Sequence, residues 1–107
     1  MKTQNRVNLV GYVGDDPVLR TLPSGTMKAF IRVATHIQSK ETKDEWIPTW
    51  HNVIAWNEDA QKLADNFSKG SHILLEGSLQ YRTYADKQGQ TQYVTEISTT
   101  HFLNLDR

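Results

Sequence analysis

Hydrophobic residues along this chain recur at alternate positions far more often than at helical spacing, which predicts strands over most of its length. Val7-Asn8-Leu9-Val10-Gly11-Tyr12-Val13 forms a first strand, apolar on one face and mixed on the other. Gly14-Asp15-Asp16-Pro17 interrupts it, because Pro17 lacks a backbone donor. Val18-Leu19-Arg20-Thr21 resumes extended structure as far as the turn Pro23-Ser24-Gly25. From Met27 to Thr35 a second strand puts Met27, Ala29, Ile31 and Val33 on one face and Lys28, Phe30 and Arg32 on the other. The period then disappears. His36 to Thr49 holds Lys40, Glu41, Lys43, Asp44 and Glu45 and reads as a long charged loop between strands.

Alternation returns in Trp50-His51-Asn52-Val53-Ile54-Ala55-Trp56, a third strand with no Gly or Pro. Trp50, Asn52, Ile54 and Trp56 share one of its faces, and at about 3.3 Å per residue the two indoles stand roughly 20 Å apart. A row of flat rings is what a groove for unpaired bases needs, since every base has a π-face. The same face serves equally well as a core, because Trp and Ile bury readily. Strand period shows which side chains face together, not which way they face.

Asn57-Glu58-Asp59 predicts a helix start, with Asn57 as the cap and acids in the first turn. Ala60, Leu63, Ala64 and Phe67 form its apolar stripe, and Lys69-Gly70 supplies a closing cation and C′ glycine. A fourth strand follows, with Ile73, Leu75, Gly77 and Leu79 opposite His72, Leu74 and Glu76. Asp86-Lys87-Gln88-Gly89-Gln90 is a hairpin tip, and a fifth strand spans Thr91 to Thr99, with a short terminal piece at His101-Phe102-Leu103. Five strands with one short helix between the third and fourth is the order of an all-β OB-fold, a partly open Greek-key barrel. That architecture binds oligonucleotides or oligosaccharides and does not by itself choose between them.

The 107 residues form one domain, with a hydrophobic fraction of 37% that suits a modest core. Mean hydropathy is −0.60, and no stretch approaches the ~20 apolar residues of a membrane span. The opening Met1-Lys2-Thr3-Gln4-Asn5-Arg6 has no apolar region of the secretory kind, and cysteine is absent, so neither disulfides nor Cys-ligated zinc is expected. These features favour the cytoplasm. Lys+Arg and Asp+Glu both number 12, so the formal net charge is zero. A nucleic-acid binder usually carries a basic footprint, and here any such binding must lean on stacking more than on counterion release.

Beyond Trp50 and Trp56, with the polar Asn52 between them, two further groups interleave aromatics with cations: Lys28-Phe30-Arg32, and Arg82 with Tyr84 and Lys87 at the hairpin tip. Each alone is also consistent with a solvated strand face; three in one small chain favour function. Trp46, beside Pro48, is either a loop anchor or a further stacking ring. Val10 and Leu74 point away from the core faces of their strands, as at an oligomer interface. Catalysis has thin support. His36, His51, His72 and His101 show no metal-ligand spacing, the acidic pairs Asp15-Asp16 and Glu58-Asp59 fit a turn and a helix start, and no glycine-rich phosphate loop occurs.

The pieces Val7–Pro17, Leu22-Pro23-Ser24-Gly25, Ala34-Thr35, Trp50–Ile54, Lys69-Gly70-Ser71, Glu76–Leu79, Gly89-Gln90 and Tyr93-Val94-Thr95-Glu96 resemble, in order and spacing, the bacterial-type single-stranded DNA-binding proteins. The resemblance covers roughly residues 5 to 103. It implies an OB-fold homotetramer that wraps single-stranded DNA without sequence preference, with no cofactor and no metal, and serves replication, recombination and repair at the nucleoid. Trp50, Trp56 and Tyr84 fall at base-stacking positions, Arg6, Lys69 and Arg82 at positions of cations on the DNA path, and His51 and Leu74 at subunit-interface positions. The chain departs from the pattern at Glu58 and Ser68, where cations are usual, and in an aromatic missing early after the second strand. No acidic tail follows Arg107, so tail-borne recruitment of partner proteins is not expected.

The expected DNA-binding set is therefore Trp50, Trp56 and Tyr84, with Trp46, Phe30 and Asn52, and the cations Arg6, Lys28, Arg32, Lys69, Arg82 and Lys87. Val10, Leu74 and His51 are the expected oligomer contacts, and catalytic and metal sites are not expected. Two other readings keep the fold: a dimeric, tailless primosomal-type adaptor, and an oligosaccharide-binding module with sugars stacked on Trp50 and Trp56.

Overall fold

The computed structural model describes residues 1–107. The alternating segments become β1 (Val7–Val13), β2 (Val18–Thr21), β3 (Met27–Gln38), β4 (Trp46–Trp56), β5 (His72–Ala85) and β6 (Thr91–Asn104), with α1 (Asn57–Asn66) between β4 and β5. Strand order is β1-β5-β6-β4-β3-β2, and a second pairing of β1 with β3 closes five strands into a barrel with β2 attached outside it. All pairings are antiparallel except β4 with β6, which run parallel through Val53↔Ile97 and Ile54↔Ser98. The expected OB-fold, with its one helix between the tryptophan strand and the next, is the fold found.

Closure depends on β1 touching two neighbours. It pairs with β5 from Val7↔Gly77 to Tyr12↔His72 and, at its end, with β3 through Tyr12↔Ala34 and Val13↔Val33. Gly11 sits at the crossing, where any Cβ would run into the Ala34 carbonyl. Inside, Val13, Ile31, Val33, Val53, Leu63, Ile73 and Leu75 are fully enclosed. Each such side chain contributes about 1.5–3 kcal/mol by leaving water. The helix closes one end of the barrel with Ala60, Leu63 and Phe67, and the Phe67 ring meets Phe102 edge-on at 5.8 Å.

Two hairpin arms extend beyond the barrel. The segment His36–Thr49 is not one long loop: β3 and β4 stay paired as far as Gln38↔Trp46, which leaves only residues 39–45 as the tip. Similarly, β5 and β6 stay paired to Ala85↔Thr91. There the Asp86 carboxylate accepts from the Gln88 and Gln90 N–H groups and the Gln92 amide, and these bonds, Gln90 foremost, hold its pKa below the usual value. The terminal piece at His101–Leu103 is the continuation of β6 past a bulge that leaves Thr100 unpaired.

The helix starts at Asn57 as expected, but its cap and its end differ from expectation. Asn57 makes no cap hydrogen bond to the helix; it adopts the left-handed conformation (φ 53°) and its Oδ1 accepts from the Met27 N–H. Strand β4 must reverse sharply into α1 at this point, and Asn tolerates that backbone. The helix stops at Asn66, before Lys69-Gly70. Gly70 instead serves the following turn, at φ 90°, and donates its N–H to the Val13 carbonyl.

Candidate nucleic-acid interface

The inner sides of β3 and β4 carry Ala29, Ile31, Val33, Val53 and Ala55 into the core, so Lys28, Phe30, Arg32, Trp50, Asn52 and Trp56 all stand on the outer side. The tryptophan face of β4 is therefore an outer face and not the core. Trp50 is 48% exposed and Trp56 37%, whereas Ile54 on the same face is enclosed, opposite Phe30. Trp46 continues the row onto the arm and is 61% exposed.

Each of three rings carries a cation. Lys28 is the direct cross-strand partner of Trp56, and its Nζ lies 5.2 Å from the ring centre. The Arg32 guanidinium lies 4.7 Å from the Trp50 ring, and that of Arg82 lies 5.8 Å from Tyr84. Exposed cation–π pairs of this kind contribute about 0.5–1 kcal/mol and hold both partners in place before a ligand arrives. Phe30 and Lys28 line one cleft of about 370 Å³ together with Arg82 from the other arm and with Val18, Arg20 and Leu22. Expected residues from two separate stretches of sequence, Lys28 with Phe30 and Arg82, thus meet in one place.

Arg20 was not among the expected contacts. It is the register partner of Lys28, so β2, β3 and β4 present Arg20, Lys28 and Trp56 in a row. Its signal was present in the alternation of Val18-Leu19-Arg20-Thr21, which puts Val18 and Arg20 on one side.

Ion pairing divides the cations. Arg32 is held by Asp15 (2.8 Å), Arg82 by Glu96 (2.8 Å) and Arg6 by Glu76 (3.0 Å), whereas Lys28, Arg20, Lys69 and Lys87 have no carboxylate within ion-pair distance. The Glu96 side chain is only 3% exposed beneath Arg82. Arg6 belongs elsewhere in the molecule: its partner Glu76 borders the face that carries Leu74 and His101. Lys69 lies in the turn after α1, where its N–H donates to Asp16 Oδ1 and so joins that turn to the Asp15-Asp16 turn. Tyr84 and Lys87 extend along the β5–β6 arm to its tip.

The expected oligomer residues separate. Val10 and Leu74 are direct partners across β1 and β5, both exposed. His51 is not beside them. It bonds Thr35 Oγ1 through Nε2 at 2.9 Å and lines a cleft with Trp50, Leu79 and Tyr93, and its burial lowers the imidazole pKa. No group of three or more His, Cys, Asp or Glu is placed to hold a metal ion, and no helix is long and apolar enough to cross a membrane.

A closed five-strand barrel whose exposed sheet face alternates aromatic rings with cations defines an oligonucleotide-binding module. The chain matches the Single-strand binding protein family over residues 4–105, nearly its whole length, and belongs to that family. It is accordingly a single-stranded DNA-binding protein of a non-enzymatic family.

Proposed function

We propose that the protein coats single-stranded DNA without sequence preference and protects it during replication, recombination and repair. The observation that carries this reading is the row of exposed Trp50 and Trp56 with half-buried Phe30 beside them and Lys28, Arg32 and Arg20 set among the rings. Such a face offers planes for bases and donors for phosphates, and stacking accepts any base because all four have π-faces. Trp46 and Tyr84 on the two arms lengthen the path beyond the barrel. The working form is a homotetramer, supported by the exposed apolar pair Val10–Leu74.

A tryptophan-fluorescence titration with oligo-dT tests the reading. Quenching by oligo-dT and not by oligosaccharides is expected. Trp56→Ala should weaken oligo-dT binding by about 1–3 kcal/mol while leaving the unfolding midpoint near that of the parent. Equal affinity in parent and variant would refute the stacking assignment.

A further inference from the structure

Two of the three ring–cation pairs have a third member. Asp15 Oδ2 accepts from both Nε (3.1 Å) and Nη2 (2.8 Å) of Arg32, whose guanidinium lies over Trp50. Glu96 accepts from Nε (2.8 Å) and Nη2 (3.4 Å) of Arg82, whose guanidinium lies over Tyr84. The order carboxylate, guanidinium, ring therefore occurs twice, from unrelated parts of the chain. The third pair, Lys28 over Trp56, has no carboxylate, and its neighbour Arg20 has none either.

We propose that Asp15 and Glu96 are internal counter-ions of the DNA-binding face, a regulation of the site that rests on the function proposed above. A guanidinium has five N–H donors, and each carboxylate takes two, so three remain to orient a phosphate. The charge, however, is already matched. A phosphate that docks on Arg32 or Arg82 meets a neutral pair, or else displaces a carboxylate that must then recruit a cation from solution. In either case the net release of ions falls below that of a free cation. Arg32 and Arg82 position the strand, and Lys28 and Arg20 carry the salt-dependent attraction.

The geometry shows this arrangement to be built in. The Gly14 N–H donates to the Arg32 carbonyl at 2.8 Å, which fixes the start of the Asp15 turn against the strand that bears its partner. Glu96 is enclosed, with Arg82 on both of its oxygens.

The test is the slope of log K against log [salt] for oligo-dT binding, measured on the whole chain by fluorescence. Asp15 is well exposed, so Asp15→Asn is expected to fold as the parent does. It should steepen the slope by about 0.7, the value for one additional phosphate neutralised on a single strand. Glu96→Gln keeps an acceptor against Arg82 and should steepen it by a similar increment. Glu45→Gln, which removes an exposed acid that has no arginine partner, should leave the slope unchanged. In an Arg32→Gln background the Asp15→Asn effect should vanish, because no cation remains to be released. An unchanged slope in both acid variants overturns the inference, as does an Asp15→Asn effect that persists without Arg32. A parent protein that fails to bind oligo-dT overturns the proposed function and this inference together; a parent that binds while the acid variants match it overturns this inference alone.

Discussion

The indole of Trp50 lies over Gly14 and occupies the space that a Cβ at position 14 would need. A glycine at the end of the first strand therefore sets the pose of a ring two strands away. Gly14→Ala should push the indole off its seat and out from under the Arg32 guanidinium. DNA affinity should fall by as much as about 1–3 kcal/mol, the worth of one stacking ring. The combination with Trp50→Ala should lose little more than Trp50→Ala alone, because both changes remove the same contact. Oligo-dT titrations of the two single variants and the double variant check this, and fully additive losses would refute it.

Asn57 joins the tryptophan strand to the helix through two separate properties, a left-handed backbone and a bond from Met27. Asn57→Gly keeps the backbone and loses the bond, which costs about 0.5–1.5 kcal/mol. Asn57→Ala loses the bond and adds about 1–2 kcal/mol of left-handed strain. Urea unfolding should therefore rank the parent above the glycine variant and the glycine variant above the alanine variant. Alanine equal to glycine would show that the backbone at this position relaxes.

What could be read in the sequence follows from where the core lies. Ile31, Val33, Val53 and Leu75 alternate because one side of each strand faces a dry interior, so these strands are visible in the hydrophobic pattern. The arms are not. His36–Gln38 and Trp46–Pro48 pair with each other and are exposed on both sides, so nothing selects apolar residues at alternate positions. The helix start was legible, but its cap and its end misled for another reason: Asn and Gly are favoured both at helix ends and wherever a left-handed backbone is required, as at Asn57 and Gly70. Composition likewise reported an even charge balance without its placement. The pairing of Arg82 with Glu96 and of Arg32 with Asp15 arises only when the barrel closes, and Arg20 stands out only once β2 is registered against Lys28.

Burial holds the His51 imidazole below its ordinary pKa of 6.5. The folded protein therefore keeps the ring neutral at pH values where the unfolded chain has already bound a proton. His51 imposes no penalty above the unfolded pKa, and stability declines as pH falls below 6.5 toward the folded value. Urea unfolding at about pH 7.5 and pH 5.5 should show a smaller loss for His51→Gln than for the parent, because glutamine does not titrate. An NMR titration of the ring with a midpoint at or above 6.5 would contradict the burial effect.

Opposite the chemistry of the tryptophan face, Val10, Leu74 and Leu103 form a row across β1, β5 and β6, exposed by 55%, 41% and 59%. Tyr12 and His72, stacked at 4.6 Å, border the row on one side. Three adjacent apolar side chains on paired strands gain by facing another such row, and a carboxylate placed among them would have to be desolvated on association. Leu74→Glu should therefore give a smaller species than the parent in sedimentation velocity. Since Leu74 lies outside the stacking face of β3 and β4, short oligo-dT should bind each protomer of the variant about as well as before, and only longer strands that span several protomers should bind more weakly. A parent that sediments as a monomer, or a variant of unchanged mass, would refute assembly through this face. A variant that also loses short oligo-dT would show that the stacking face depends on the assembly.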